Sequence, residues 1–109
     1  MLSKKERLSR KEFNRFFSLG KKNNSQTFTL VYTPHPTFHA SVVVPKKIER
    51  SAVKRNKTRR QIYDIVRSHQ KTEEFSGVFI FLIKSNIIKI EHKDVVVEVH
   101  KIIKKALNN

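Results

Sequence analysis

The heptapeptide Gly77-Val78-Phe79-Ile80-Phe81-Leu82-Ile83 constrains this chain more than any other segment. It is too short for a buried helix and is rich in aromatic and β-branched residues, so it reads as a strand. It has no polar face. A strand of that kind sits in the middle of a sheet with cover on both sides. A chain of 109 residues supports one such centre and a modest core, hence a single domain over residues 1–109.

The flanking segments supply the cover. Ser9-Arg10-Lys11-Glu12 has the form of a capping box, with Leu8 and Phe13 at the positions of a hydrophobic staple. The pattern predicts a helix to about Leu19, closed by Gly20 in the left-handed conformation. Ser3-Lys4-Lys5-Glu6 offers an earlier cap. Residues 26–33 alternate around Phe28, Leu30 and Tyr32, and residues 38–44 end in Val42-Val43-Val44, so each predicts a strand. Pro34 and Pro36 separate the two, and Pro45 ends the second. Ser51 is placed to cap a helix from Ala52 to about His69. Residues 85–90 read as a connector. Val95-Val96-Val97 has strand propensity, yet Val95, Val99, Ile102, Ile103 and Ala106 recur at helical spacing. Asp94 before them and Lys101, Lys104 and Lys105 after them suit a helix dipole, so a final helix is expected. The order helix, strand, strand, helix, strand, helix gives an α+β fold, a two-layer α-β sandwich around a small central sheet.

Charge points to the partner. The sequence holds 24 Lys and Arg against 9 Asp and Glu, a net charge of +15. That excess favours nucleic acid first and an anionic membrane second. No apolar run approaches the ~20 residues of a membrane span. The basic start lacks the apolar region of a secretory signal. The absence of cysteine removes disulfides and thiolate metal sites, and a reducing cytoplasm is the expected location.

The charge peaks between Lys46 and Arg60, where eight of fifteen residues are basic and one is acidic. At about 100° per residue, Ile62, Ile65, Val66 and His69 share the side of the helix that docks on the sheet. In the first two turns that side carries Arg55, Thr58 and Arg59, so the first half is expected to project past the sheet or line a groove. A second ridge holds Asn56, Arg60, Tyr63 and Arg67. Guanidinium forks bind phosphate and stack on bases, and an amide reaches sugar or base edges. The helix N-terminus adds unpaired N–H groups. Lys46, Lys47, Lys54 and Lys57 extend the cationic surface. The ordinary alternative is a solvated helix, but solvated helices mix both signs.

Aromatic residues are the second candidate. Phe13, Phe16 and Phe17 cluster on the first helix, with Phe28 and Tyr32 on the next strand. Core packing is the usual fate of such rings. A stacking floor for unpaired bases is the functional alternative. Catalytic signatures are lacking. His35, His39, His69, His92 and His100 have no metal-ligand spacing, the carboxylates are scattered, and there is no Gly-rich phosphate loop.

These residues together resemble the protein component of bacterial ribonuclease P. The likeness centres on Lys46-Lys47 and on Ala52-Val53-Lys54-Arg55-Asn56-Lys57-Thr58-Arg59-Arg60, which is similar to that family's basic signature. Arg7-Leu8 with Phe13, Phe17 and Gly20 resembles its first helix, and residues 28–32 its first strand. Two departures stand out. Glu49-Arg50-Ser51 lacks the glycine common in the family's turn, and Lys57 replaces an arginine. The resemblance implies a left-handed βαβ crossover, against the general rule. It implies a large catalytic RNA as partner, precursor tRNA as substrate, and Mg²⁺ held mainly by the RNA. It implies removal of 5′ leaders with no catalytic residue in this chain. By the same resemblance, Arg55, Asn56, Lys57, Arg59 and Arg60 bind RNA, and the charged helix itself adds Lys46, Lys47, Lys54 and Arg67 to that expected set. The resemblance puts Phe13, Phe17, Phe28 and Tyr32 in a cleft for the leader, and Tyr63, on the second ridge, is added to them. A ribosomal or general RNA-binding protein is the alternative. A nuclease with its own active site and a membrane-surface role rank below it.

Overall fold

The computed structural model describes residues 5–85 and 90–108. Its elements are α1 (Arg10–Leu19), β1 (Lys21–Asn24), β2 (Phe28–Thr33), β3 (Phe38–Val43), α2 (Ala52–Glu73), β4 (Gly77–Ile83) and α3 (His92–Leu107). The four strands form one sheet in the order β1-β2-β4-β3. β4 is central, as its apolar run requires. It pairs antiparallel with β2 and parallel with β3, and α2 is the crossover between the parallel pair. The expected α+β sandwich is present.

The period-two alternation of the strands sorts side chains between two faces. Phe28, Leu30, Phe38, Ala40, Val42, Phe79, Phe81 and Ile83 share one face and are buried. Ile62, Ile65 and Val66 of α2 and Val95, Val99, Ile102, Ile103 and Ala106 of α3 cover them. On the opposite face Val31, Val78 and Ile80 form a second, smaller cluster with Leu8, Phe13, Phe16 and Phe17. Thus α1 lies across the far side of the sheet and covers only part of it.

Several boundaries differ from the sequence expectation. β1 was not anticipated: Lys21-Lys22-Asn23-Asn24 carries no apolar alternation, because it is an edge strand whose one buried side chain is Asn23. β2 starts at Phe28, after a turn in which Ser25 accepts from the Phe28 N–H at 3.0 Å. α2 continues past His69 to Glu73 and ends with Glu74 in the left-handed region (φ 52°). The capping box forms as expected, with Ser9 and Glu12 bonded reciprocally. The alternative cap involved Ser3 and Lys4, outside the described residues, as is most of the 85–90 connector.

Gly20 is a correction. It is extended (φ −70°, ψ 153°) and not left-handed. Its role is clearance: a Cβ there would stand 2.3 Å from Val31 Cγ1 and 2.9 Å from the Phe16 carbonyl oxygen.

Strand β3 is the other edge, and two of its outward N–H groups are occupied. The Ala40 N–H donates to the Glu6 carbonyl at 2.9 Å, where Arg7 makes a parallel bridge. The next outward N–H, that of Val42, donates to the Tyr63 hydroxyl at 3.1 Å.

Candidate nucleic-acid interface

The cationic segment begins where β3 ends. Ile48 and Glu49 both donate their N–H groups to the Pro45 carbonyl, closing a turn, and the Ile48 side chain packs on the core. Ser51 then caps α2 by accepting from the Lys54 N–H at 3.2 Å. The Arg55 guanidinium donates to the carbonyls of Glu49 (3.1 Å) and Arg50 (2.8 Å). The Ser51 N–H donates to the Glu49 carboxylate at 3.1 Å. These bonds hold the turn without glycine, and none of its residues has a positive φ.

Arg55 is therefore partly a brace, as is Arg67. The Arg67 guanidinium meets the Glu6 carboxylate at 2.6 Å, with both side chains half-buried. That pair ties the N-terminal segment to α2. Lys46, Lys47, Lys54, Asn56, Lys57 and Arg60 are exposed. Arg59 is half-buried and donates to the Asn56 amide oxygen. Thr58 is buried, so the first half of α2 does bury a narrow stripe, with the arginines on its flanks. Asn56, Arg59, Arg60 and Tyr63 line a recess of about 340 Å³. A recess with two guanidinium groups and one ring suits a phosphate and its neighbouring base.

The aromatic set divides. Phe13 and Phe17 stack with centroids 5.7 Å apart and planes 19° apart, and both are partly exposed. Lys22 Nζ lies 5.7 Å over the Phe17 ring. Beyond α1, the row Asn24, Thr29, Leu82 and Val43 continues the same sheet face. Its Leu82 and Val43 are partly exposed, and Thr29 donates to the Asn24 amide oxygen at 2.8 Å. Phe28, Tyr32 and Tyr63 do not join them. Phe28 is fully buried, edge-on to Phe81 at 6.0 Å, and presents no ring to a ligand. Tyr32 packs on Phe79 at 5.0 Å on the α2/α3 face. Tyr63 belongs to the recess at the β3 edge.

The reason is parity. The alternation that marked Phe28, Leu30 and Tyr32 in the sequence marks the α2/α3 core face, so the face toward α1 takes the other set, Thr29, Val31 and Thr33, of which Val31 is buried under α1. Sequence reasoning missed Lys22, Asn24 and Leu82 on this face. The only signal was that same alternation, read for the opposite face.

The open row and the cationic segment adjoin. Val43 ends β3 and pairs with Leu82, and the Pro45–Arg60 stretch starts at that same end of the sheet. Stacked rings, a lysine and a basic helix N-terminus thus border one partly uncovered sheet surface. Near the other end of α1, Glu12 has its pKa lowered by accepting the Ser9 N–H and then by the Ser9 hydroxyl. Among the described residues, no three His, Asp or Glu side chains form a metal-holding group. No helix there is long and apolar enough to cross a membrane.

The family model for ribonuclease P matches residues 2–107. The chain belongs to the ribonuclease P protein family. It is 28% identical over 103 residues to the ribonuclease P protein component of Synechococcus sp. (strain JA-2-3B'a(2-13)), covering 89% of this chain and 77% of that one. Its fold matches a Staphylococcus aureus RNase P protein mutant with defective mRNA degradation activity (TM-score 0.75, 19% identity, 94% of this chain and 89% of that one). It also matches the S. aureus RNase P protein itself (TM-score 0.64, 16% identity, 94% and 93%). At these identities the structural likeness concerns the fold. Family membership implies ribonuclease activity as part of a ribonucleoprotein in tRNA processing.

Proposed function

We propose that this family member binds the catalytic RNA of ribonuclease P through the first half of α2. We further propose that it holds the single-stranded 5′ leader of precursor tRNA in the cleft between α1 and the sheet. The observation that carries this reading is that the partly exposed row beyond the stacked Phe13–Phe17 pair runs out to Val43, where the cationic segment 46–60 begins. Cations neutralise phosphate, and aromatic faces accept unpaired bases without regard to sequence. Scission then belongs to the RNA partner with its Mg²⁺. The protein lowers repulsion between two RNAs and adds leader contacts. The family likeness also leads us to propose a left-handed β3–α2–β4 crossover and a cytoplasmic site of action.

Reconstitution tests it. The chain, a bacterial ribonuclease P RNA and a precursor tRNA are combined at limiting Mg²⁺. Addition of the protein should accelerate leader removal, and Arg60→Ala should reduce that gain. Its RNA affinity should fall with salt less steeply, by about one unit of slope. RNA binding without faster cleavage would favour a general RNA-binding protein.

A further inference from the structure

The two helices on the core face run side by side in the same direction. Gln61, midway along α2, has its Nε2 2.9 Å from Nδ1 of His92, the first residue of α3. Eight residues further on in each helix, the rings of His69 and His100 meet with centroids 3.9 Å apart and planes 30° apart. Phe75, at the foot of β4, meets the His69 ring edge-on at 5.2 Å. Beside this stack is a recess of about 370 Å³, within the range of small-molecule sites. Lys101 and Lys104, both exposed, stand on one wall, and Glu73 is its one acid. The recess is thus cationic even with both imidazoles neutral. It lies some nine residues beyond Arg60 along α2, about 14 Å of helix. It also faces α3, whereas Arg60 and Tyr63 face the β3 edge.

We propose that this recess is a second RNA-contact site taking one unpaired nucleotide. Its base lies against the half-buried histidine rings, with the buried Phe75 behind them, and its phosphate meets Lys101 and Lys104. This rests on the reading that the chain works on RNA. Lys104, in the last turn of α3, also answers a helix dipole. That role needs only charge, and it leaves unexplained an aromatic-walled hollow beneath the charge. Burial, and then the neighbouring His100, lower the His69 pKa, which favours the neutral ring, a flat partner for a base. The chemistry fits a base and phosphate together better than a bare anion. It would also suit a free nucleotide, so the test separates the two.

The full chain is observed by NMR through its imidazole and backbone amide resonances. It is titrated separately with pentaadenylate, adenosine 5′-monophosphate and inorganic phosphate. The expected result is that the first two probes shift His69 and His100, pentaadenylate at the lower concentration. Inorganic phosphate should need about tenfold more. Lys101→Ala/Lys104→Ala, at exposed positions that keep the fold, should weaken the response about tenfold. Arg60→Ala should leave the response to the mononucleotide in place. Equal responses to phosphate and mononucleotide would overturn the proposal, as would a response to the mononucleotide alone. Unmoved histidines while residues 46–60 saturate with pentaadenylate would overturn it and leave the proposed function standing. Binding nowhere would remove both.

Discussion

Replacing Gly20 by alanine tests how closely α1 rests on the sheet. The backbone there is extended, with φ −70° and ψ 153°, a conformation alanine adopts freely. Any cost must therefore be steric. The added carbon would stand 2.3 Å from Val31 Cγ1, 2.9 Å from the Phe16 carbonyl oxygen and 3.0 Å from Thr33 Oγ1. Ordinary carbon contacts begin near 3.5 Å, so the shortfall against Val31 exceeds about 1 Å. Val31 is buried and cannot swing into solvent. Overpacking of this kind costs about 1–3 kcal/mol. The lower entropy of the unfolded alanine chain returns about 0.4–1 kcal/mol. Mid-range values leave a net loss of about 1.3 kcal/mol, roughly a ninefold fall in the folded-to-unfolded ratio. Urea denaturation should show a lower midpoint with an unchanged slope. In a Val31→Ala background the same substitution should cost less, because the carbon it strikes is gone. Single-stranded RNA affinity should drop as well, since α1 carries Phe13 and Phe17. A Gly20→Ala chain as stable as the parent, or strict additivity with Val31→Ala, would refute the close approach.

Three further outcomes are expected. Tyr63→Phe removes the acceptor for the Val42 N–H and should cost about 1 kcal/mol in urea denaturation. Glu6→Gln weakens the half-buried pair with Arg67 by about 0.5–1 kcal/mol, and hydrogen exchange at the Ala40 amide, which donates to the Glu6 carbonyl, should quicken. His69 has a folded pKa below its ordinary 6.5, so its contribution is complete above that pH. The unfolded chain takes the proton first as pH falls, so stability drops from about 6.5 downward; His69→Phe should flatten that part of a urea-midpoint profile.

The legible parts of the fold were those with strong local signals. The β4 run named its own central place, and Ser9 and Ser51 marked helix starts that the structure keeps. β1 was illegible because an edge strand needs backbone partners, not apolar side chains. The length of α2 was underread because its last turn is polar and ends on Glu74, where a glycine would have been the visible signal. At the candidate site, the cations were plain from charge density alone. Which arginines brace the turn and which remain exposed was not, since Arg55 and Arg67 differ from Arg60 only in what the fold brings beside them. The cleft was misassigned for Phe28 and Tyr32 because alternation identifies two faces without saying which holds the larger core.

The occupied outer rim of β3 limits what this polypeptide can assemble into. With its amide donors at Ala40 and Val42 already engaged, a neighbouring chain must displace the Glu6 carbonyl and the Tyr63 hydroxyl to extend the sheet there. The opposite rim, Lys21 and Lys22, repels a second copy by like charge. Molecules crowded together along a polyanion therefore have no open template for fibre growth, and remain separable units on whatever scaffold gathers them.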